Sequence, residues 1–151
     1  MSKAQEEELV AFIEWVNTFE NISRTVTNYK DLADGGVLIE IAYDVDPRWF
    51  KTLRGDTRED KDNWVLKFNK LKRLYALIQR YYEEVFGYDP KNIDAPNLNT
   101  IAKESDINEL VKLCSIVLTL AVQSQNNAVY IERIQSLSDT SQKGLMMAIE
   151  R

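Results

Sequence analysis

The sequence predicts an all-α fold, and three observations carry that reading. Apolar residues recur at the i, i+3, i+4, i+7 spacing of a helix face in several long stretches. Five Gly and three Pro among 151 residues suit helices with short connections better than a turn-rich β fold. The 44% apolar content is that of an ordinary globular protein. One domain of this length buries about two-thirds of its unfolded surface.

The elements follow in chain order. Leu9, Val10, Phe12, Ile13, Val16 and Phe19 make a wide apolar stripe, with Trp15 beside it, and predict a first helix from about Glu6 to Phe19. Asn28 or Thr27 is placed to cap a second helical piece that continues through Asp34-Gly35-Gly36 into Val37, Leu38, Ile39, Ile41 and Ala42. Asp46-Pro47 ends it, Trp49-Phe50 tuck an irregular link onto the core, and the polar stretch Leu53 to Asp60 reads as an exposed loop. From Asp62 to Phe86 the residues Trp64, Val65, Phe68, Leu71, Leu74, Tyr75, Ile78, Tyr82 and Val85 repeat with helical period, and Gly87 and Pro90 close the helix. Tyr88 to Lys103 is loop-like, with one short turn around Leu98 to Ala102.

Ser105 or Asp106 then caps Ile107 to Val122, which is apolar on almost every face and so belongs at the centre of a helical domain. Gln123 to Asn127 interrupts the apolar run. Val129, Tyr130, Ile131, Ile134 and Leu137 predict a further helix, and Ser138 with Asp139-Thr140-Ser141 offers capping side chains for the last one.

The chemistry of the side chains argues against an enzyme. There is no histidine, which removes Ser-His-Asp and Cys-His catalysis, most zinc sites and the usual neutral-pH proton shuttle. Asp44-Val45-Asp46 begins like a calcium loop, but Pro47 follows and the required Gly and Glu are absent. Asp34-Gly35-Gly36 lacks the lysine and Ser/Thr of a phosphate loop and reads as a helix break or a close backbone approach. Glu83 and Glu84 point about 100° apart on a helix and cannot share a substrate. No catalytic residue, metal ligand or cofactor is expected.

A net charge of −5 speaks against nucleic acid or anionic lipid as the main ligand, and against docking on an acidic microtubule. No apolar run of about 18 residues is present, so no membrane insertion is expected. Met1 to Glu8 is polar and acidic, unlike a secretory signal. The single cysteine, Cys114, lies in an apolar run and reads as a buried thiol in a cytoplasmic protein.

The last residues point to interaction. Gln142, Leu145, Met146 and Ile149 recur along one helix face, and the pattern is still running at Arg151. Such a stripe is a face left for a partner or the start of something longer.

Three motifs give these elements a family. Asp31-Leu32-Ala33-Asp34-Gly35-Gly36-Val37-Leu38, Asp46-Pro47-Arg48-Trp49-Phe50, and Asp62-Asn63-Trp64-Val65-Leu66-Lys67 leading to Leu71-Lys72 stand in this order. With Glu109-Leu110, Tyr130-Ile131, Gln142, Met146, Ala148 and Ile149, they resemble the N-terminal Hook domain of the Hook family of dynein adaptors over nearly the whole chain. The resemblance implies a calponin-homology-like domain of about seven helices with an extra C-terminal helix. Residues 1–122 would form the helical core and 123–151 an extension that carries the partner site.

It also implies the partner: an amphipathic helix from the C-terminal region of the dynein light intermediate chain. A coiled coil absent from this chain would engage dynein and dynactin, make the full-length protein a homodimer, and lead to cargo such as endosomes. The family's contact pattern falls on Gln142, Met146 and Ile149, with Leu145 beside them. Ser141, Lys143 and Gly144 depart from it. Gly inside a helix costs about 1 kcal/mol relative to Ala, so the last helix is expected to stay loose until its partner binds. Tyr130, Ile131 and Ile134 pack the penultimate helix, and one of them could form the other wall of a groove.

The alternative is a calponin-homology domain that binds a microtubule or actin filament directly. Lys61, Lys67, Lys70, Lys72, Arg73 and Arg80 form a basic series in an acidic chain, and Lys67 with Lys70 would be the contact.

Overall fold

In a computed structural model, residues 2–54 and 63–150 are described, and among them there are seven α-helices, three short 3-10 turns and no strand. Helix α1 spans Lys3–Val16, α2 Gly36–Val45, α3 Trp64–Glu84, α4 Leu98–Glu104, α5 Ile107–Gln123, α6 Asn127–Gln135 and α7 Asp139–Glu150. This is the expected all-α architecture, with seven α-helices among the described residues including the C-terminal one. Helix α5 lies at the centre. Ten of its side chains, from Leu110 to Val122, are buried, and α1, α2, α3, α4, α6 and α7 all pack on it. No single helix among the described residues is long and apolar enough to cross a membrane.

Local chemistry sets the boundaries, and in places moves them from the expected positions. Helix α1 starts three residues before Glu6 because Ser2 and Gln5 form a capping box. It ends before Phe19 because Asn17 turns the chain, exchanging side-chain hydrogen bonds with both backbone groups of Val26 at 2.8 and 3.0 Å. The second helical piece is two pieces. Asn28 caps a 3-10 turn over Tyr29–Leu32, and α2 begins only at Gly36. Between them Asp34 accepts the Gly36 N–H at 2.9 Å and a bidentate pair from Arg24 at 3.0 Å.

Gly35 sits there at φ +84°, and a Cβ on it would stand 3.1 Å from Leu71 Cδ2. It is both a break and a close approach. Asp46 closes α2 and accepts from the Trp49 N–H and the Tyr81 hydroxyl, which seats Phe50 fully in the core.

Other corrections concern the middle and end of the chain. Leu53, expected in an exposed loop, is buried; from Gly55 to Asp62 that loop, Lys61 and the expected helix start lie outside the described residues. Asn63 caps α3 through the N–H groups of Val65 and Leu66. Trp64 and Val65, read as part of the apolar face, overhang the core and are exposed, and the Lys103 ammonium covers the Trp64 ring at 4.4 Å. The single turn expected near Leu98 is the seven-residue α4, because Asn97 caps it through Thr100 N–H. The cap of α7 is Ser138, the first of the expected set, through Ser141 N–H.

Helix α7 is formed and folded back without a partner, contrary to the loose helix expected from Gly144. Its most extensive neighbour is α1. Gly144 faces Ala11 and the Glu7 carbonyl on α1, so it lies in the helix–helix seam. Leu145 and Ala148 join the main core from this helix, and the Ser141 hydroxyl donates to the Glu14 carboxylate.

Candidate functional site

Packing on α1 divides the C-terminal stripe into an inner and an outer row. Ser141, Gly144, Leu145 and Ala148 face the core. Leu145 is only 1% exposed, so in this arrangement its side chain belongs to the core and is not accessible from outside. Gln142, Met146 and Ile149 form the neighbouring row at i, i+4, i+7. Met146 is 50% exposed, Met147 is equally open on the flank, and Gln142 and Ile149 are half-buried. Three of the four expected contact residues therefore share one accessible face.

That face borders a groove of about 510 Å³ between α5, the C-terminal end of α3, the 88–94 segment and the tail of α7. Ile93, Ile116, Ala148 and Ile149 provide its apolar lining. Tyr88 bridges one side, donating to Gln123 Oε1 at 2.6 Å. Across the groove Lys112 Nζ lies 3.1 Å from Glu109 and 3.7 Å from Asp94. Tyr82 forms part of the wall and donates its hydroxyl to the Ile116 carbonyl. Burial pushes that phenol up, so it stays neutral and remains a donor. A trough that joins an apolar patch of Ile93, Ile116, Ala148 and Ile149 to polar groups such as Asn92, Lys112 and Thr119 suits the two-sided surface of an amphipathic helix.

The expected groove wall on α6 is not where the trough lies. Tyr130 and Ile134 are 3% and 5% exposed and belong to the core. Tyr130 stacks on Phe19, accepts from Trp15 Nε1 through its carbonyl and donates its hydroxyl to Asp44 at 2.7 Å. Only Ile131 of that trio reaches the surface. The groove that Ile149 lines is bounded instead by α5 and the 88–94 segment. No sequence signal marked it, since Ile93 sits in a stretch with neither period.

The basic face proposed for a filament also changes. Lys70 is 2% exposed, with its stem along Gly35, and cannot touch a filament; Lys67 is half-buried. Among the described residues no group of His, Cys, Asp and Glu side chains is placed to hold a metal ion. Burial pushes the Cys114 thiol far up, against nucleophile character.

Comparison with known proteins agrees with this architecture. The family model for the HOOK domain matches residues 7–151. The chain is 31% identical over 143 residues to the protein hook homolog of Dictyostelium discoideum, covering 93% of this chain and 19% of that protein. It is 29% identical over 142 residues to human protein Hook homolog 3, covering 93% of this chain and 20% of that one. The chain thus spans about a fifth of the length of the curated relatives it matches. The solution structure of a conserved domain of mouse HOOK1 superposes with a TM-score of 0.85 at 28% identity, covering 95% of this chain and 88% of that one. By fold, motif order and the extent of these matches, the chain belongs to the HOOK-domain family.

Proposed function

We propose that this domain is a non-enzymatic adaptor module that captures an amphipathic helix from the C-terminal region of the dynein light intermediate chain. The observation that carries the reading is the outer row of α7, with Met146 exposed and Ile149 on the apolar patch of an adjoining groove. Residues 1–122 act as the scaffold and 123–151 as the extension that presents the site. An unbranched Met adapts to an incoming helix face, while Ile149 supplies a fixed apolar contact. A docked helix of this kind buries about 1,000 Å² or less in total, which corresponds to micromolar rather than nanomolar affinity.

In the full-length, homodimeric protein the capture would tether dynein and dynactin to a cytoplasmic cargo such as an endosome for transport along microtubules. Two copies of a weak site then act together through effective concentration.

The test is a titration of a fluorescently labelled light-intermediate-chain helix peptide against the domain and its Met146→Asp and Ile149→Asp variants. The reading expects micromolar binding to the wild type and at least about tenfold weaker binding to each variant, the scale of losing one buried apolar contact. Equal affinity in all three would remove the site.

A further inference from the structure

Gln142 already has a task in the chain alone. Its side-chain nitrogen donates to the Leu137 carbonyl at 2.8 Å and to the Gln135 carbonyl at 3.2 Å. Gln135 is the last residue of α6, and Leu137 lies in the turn before α7. These are carbonyls of the kind that a helix C-terminus leaves without intrahelical donors. Both acceptors are oxygens, so the orientation of the amide is fixed by chemistry: nitrogen inward, Oε1 outward. The two amide hydrogens are both used. All that Gln142 retains for a second helix is an acceptor.

The position of this clamp gives it leverage. Ile149 lies seven residues further along α7, about 10 Å at the helical rise, so a 10° tilt at the α6–α7 corner carries it by about 2 Å. Ala148 and Ile149 form one wall of the groove, so the angle of α7 sets the groove's width. Beyond the corner α7 is held by Leu145 and Ala148, which pack against both α1 and α5, and by the Ser141–Glu14 hydrogen bond to α1. At the corner itself Gln142 is the side chain of α7 that bonds back to the end of α6, beside the Ser138 cap of α7.

We propose that Gln142 is a positioning residue: it locks the α6–α7 corner and thereby places Ile149 at the groove. The consequence for a partner rests on the helix-in-groove reading; the clamp itself does not.

Two substitutions separate the alternatives. Gln142→Ala removes the donors, whereas Gln142→Glu keeps the outward acceptor and turns a carboxylate towards two carbonyls. Amide hydrogen exchange and methyl NMR are measured on the full 151-residue chain without partner, with unchanged exchange in α5 as the check that the fold persists. The clamp predicts roughly three- to tenfold lower protection at the start of α7 in Gln142→Ala, the scale of one or two net hydrogen bonds, and a larger loss in Gln142→Glu. It also predicts a shift of the Ile149 methyl signal in both, which general loosening of the corner without movement of the wall would not produce.

In a parallel titration with the light-intermediate-chain peptide, Gln142→Glu should bind more weakly than Gln142→Ala. Unchanged exchange and an unmoved Ile149 signal in both variants would overturn the proposal, as would Gln142→Glu binding like the wild type. Failure of the peptide to bind even the wild type would sink the functional reading while leaving the exchange result to decide the clamp.

Discussion

At Gly144 and Gly35 the same residue type does opposite work. Gly144 has helical geometry, and a methyl group added there would meet Ala11 Cβ at 3.5 Å and the Glu7 oxygen at 3.6 Å, which is ordinary contact. Gly144→Ala should therefore stabilise the domain by about 0.5–1 kcal/mol through helix propensity and a less flexible unfolded chain. Denaturant unfolding checks this, and a clear destabilisation would mean that α1 and α7 need a closer approach. Gly35 is different: its φ of +84° is left-handed and Leu71 crowds the missing Cβ at 3.1 Å. Gly35→Ala should cost about 1–2 kcal/mol from backbone strain alone. The Asp34-Gly35-Gly36 motif was legible as a break in the sequence, because those residue types have few other uses. Gly144 was legible only as a helix weakener, because the carbonyl of Glu7 that it faces is more than a hundred residues away in the chain.

Between elements, α7 is held by its inner row. Leu145→Ala removes a fully buried side chain between α1 and α5 and should destabilise by about 2–5 kcal/mol in the same unfolding measurement. A loss under 1 kcal/mol would indicate that α7 is not seated as described. The period of 3.6 in α3 and α5 was read directly from the sequence, since a long amphipathic or all-apolar helix carries its signal in many residues. Helix ends were harder. Asn97 caps α4 with one side-chain oxygen, and a lone Asn in a polar stretch does not stand out from its neighbours. Half of the site was legible for the same reason. Gln142, Met146 and Ile149 lie on one periodic helix, whereas Tyr88, Ile93, Ile116 and Thr119 reach the groove from segments joined only by tertiary packing.

Across the whole molecule, buried tyrosines link the helices through polar groups. Tyr81 ties α3 to Asp46 and Tyr130 ties α6 to Asp44. Burial, then the neighbouring Asp46, pushes the Tyr81 phenol up to about 12 from its ordinary value of 10.0. Burial and Asp44 likewise raise Tyr130. A raised folded-state value means that the folded chain holds the proton more tightly than the unfolded chain. Stability from these groups is thus complete below the unfolded value near 10, and is lost as pH climbs through about 12. Alkaline titration of the circular dichroism signal should show unfolding in that window, and Tyr130→Phe should make the transition less steep. An unchanged transition in the variant would mean that the Asp44 contact contributes nothing to it.

The central claim is that a partner helix lies against the outer row of α7 and the groove beside it. The most direct measurement is methyl and amide NMR of the labelled domain during titration with the light-intermediate-chain helix peptide. The account predicts shifts that gather at Met146 and Ile149 and continue to Ile93, Ile116 and Thr119, with α3 around Lys67 unmoved. Shifts concentrated on the cationic face of α3, or none at saturating peptide, would contradict it.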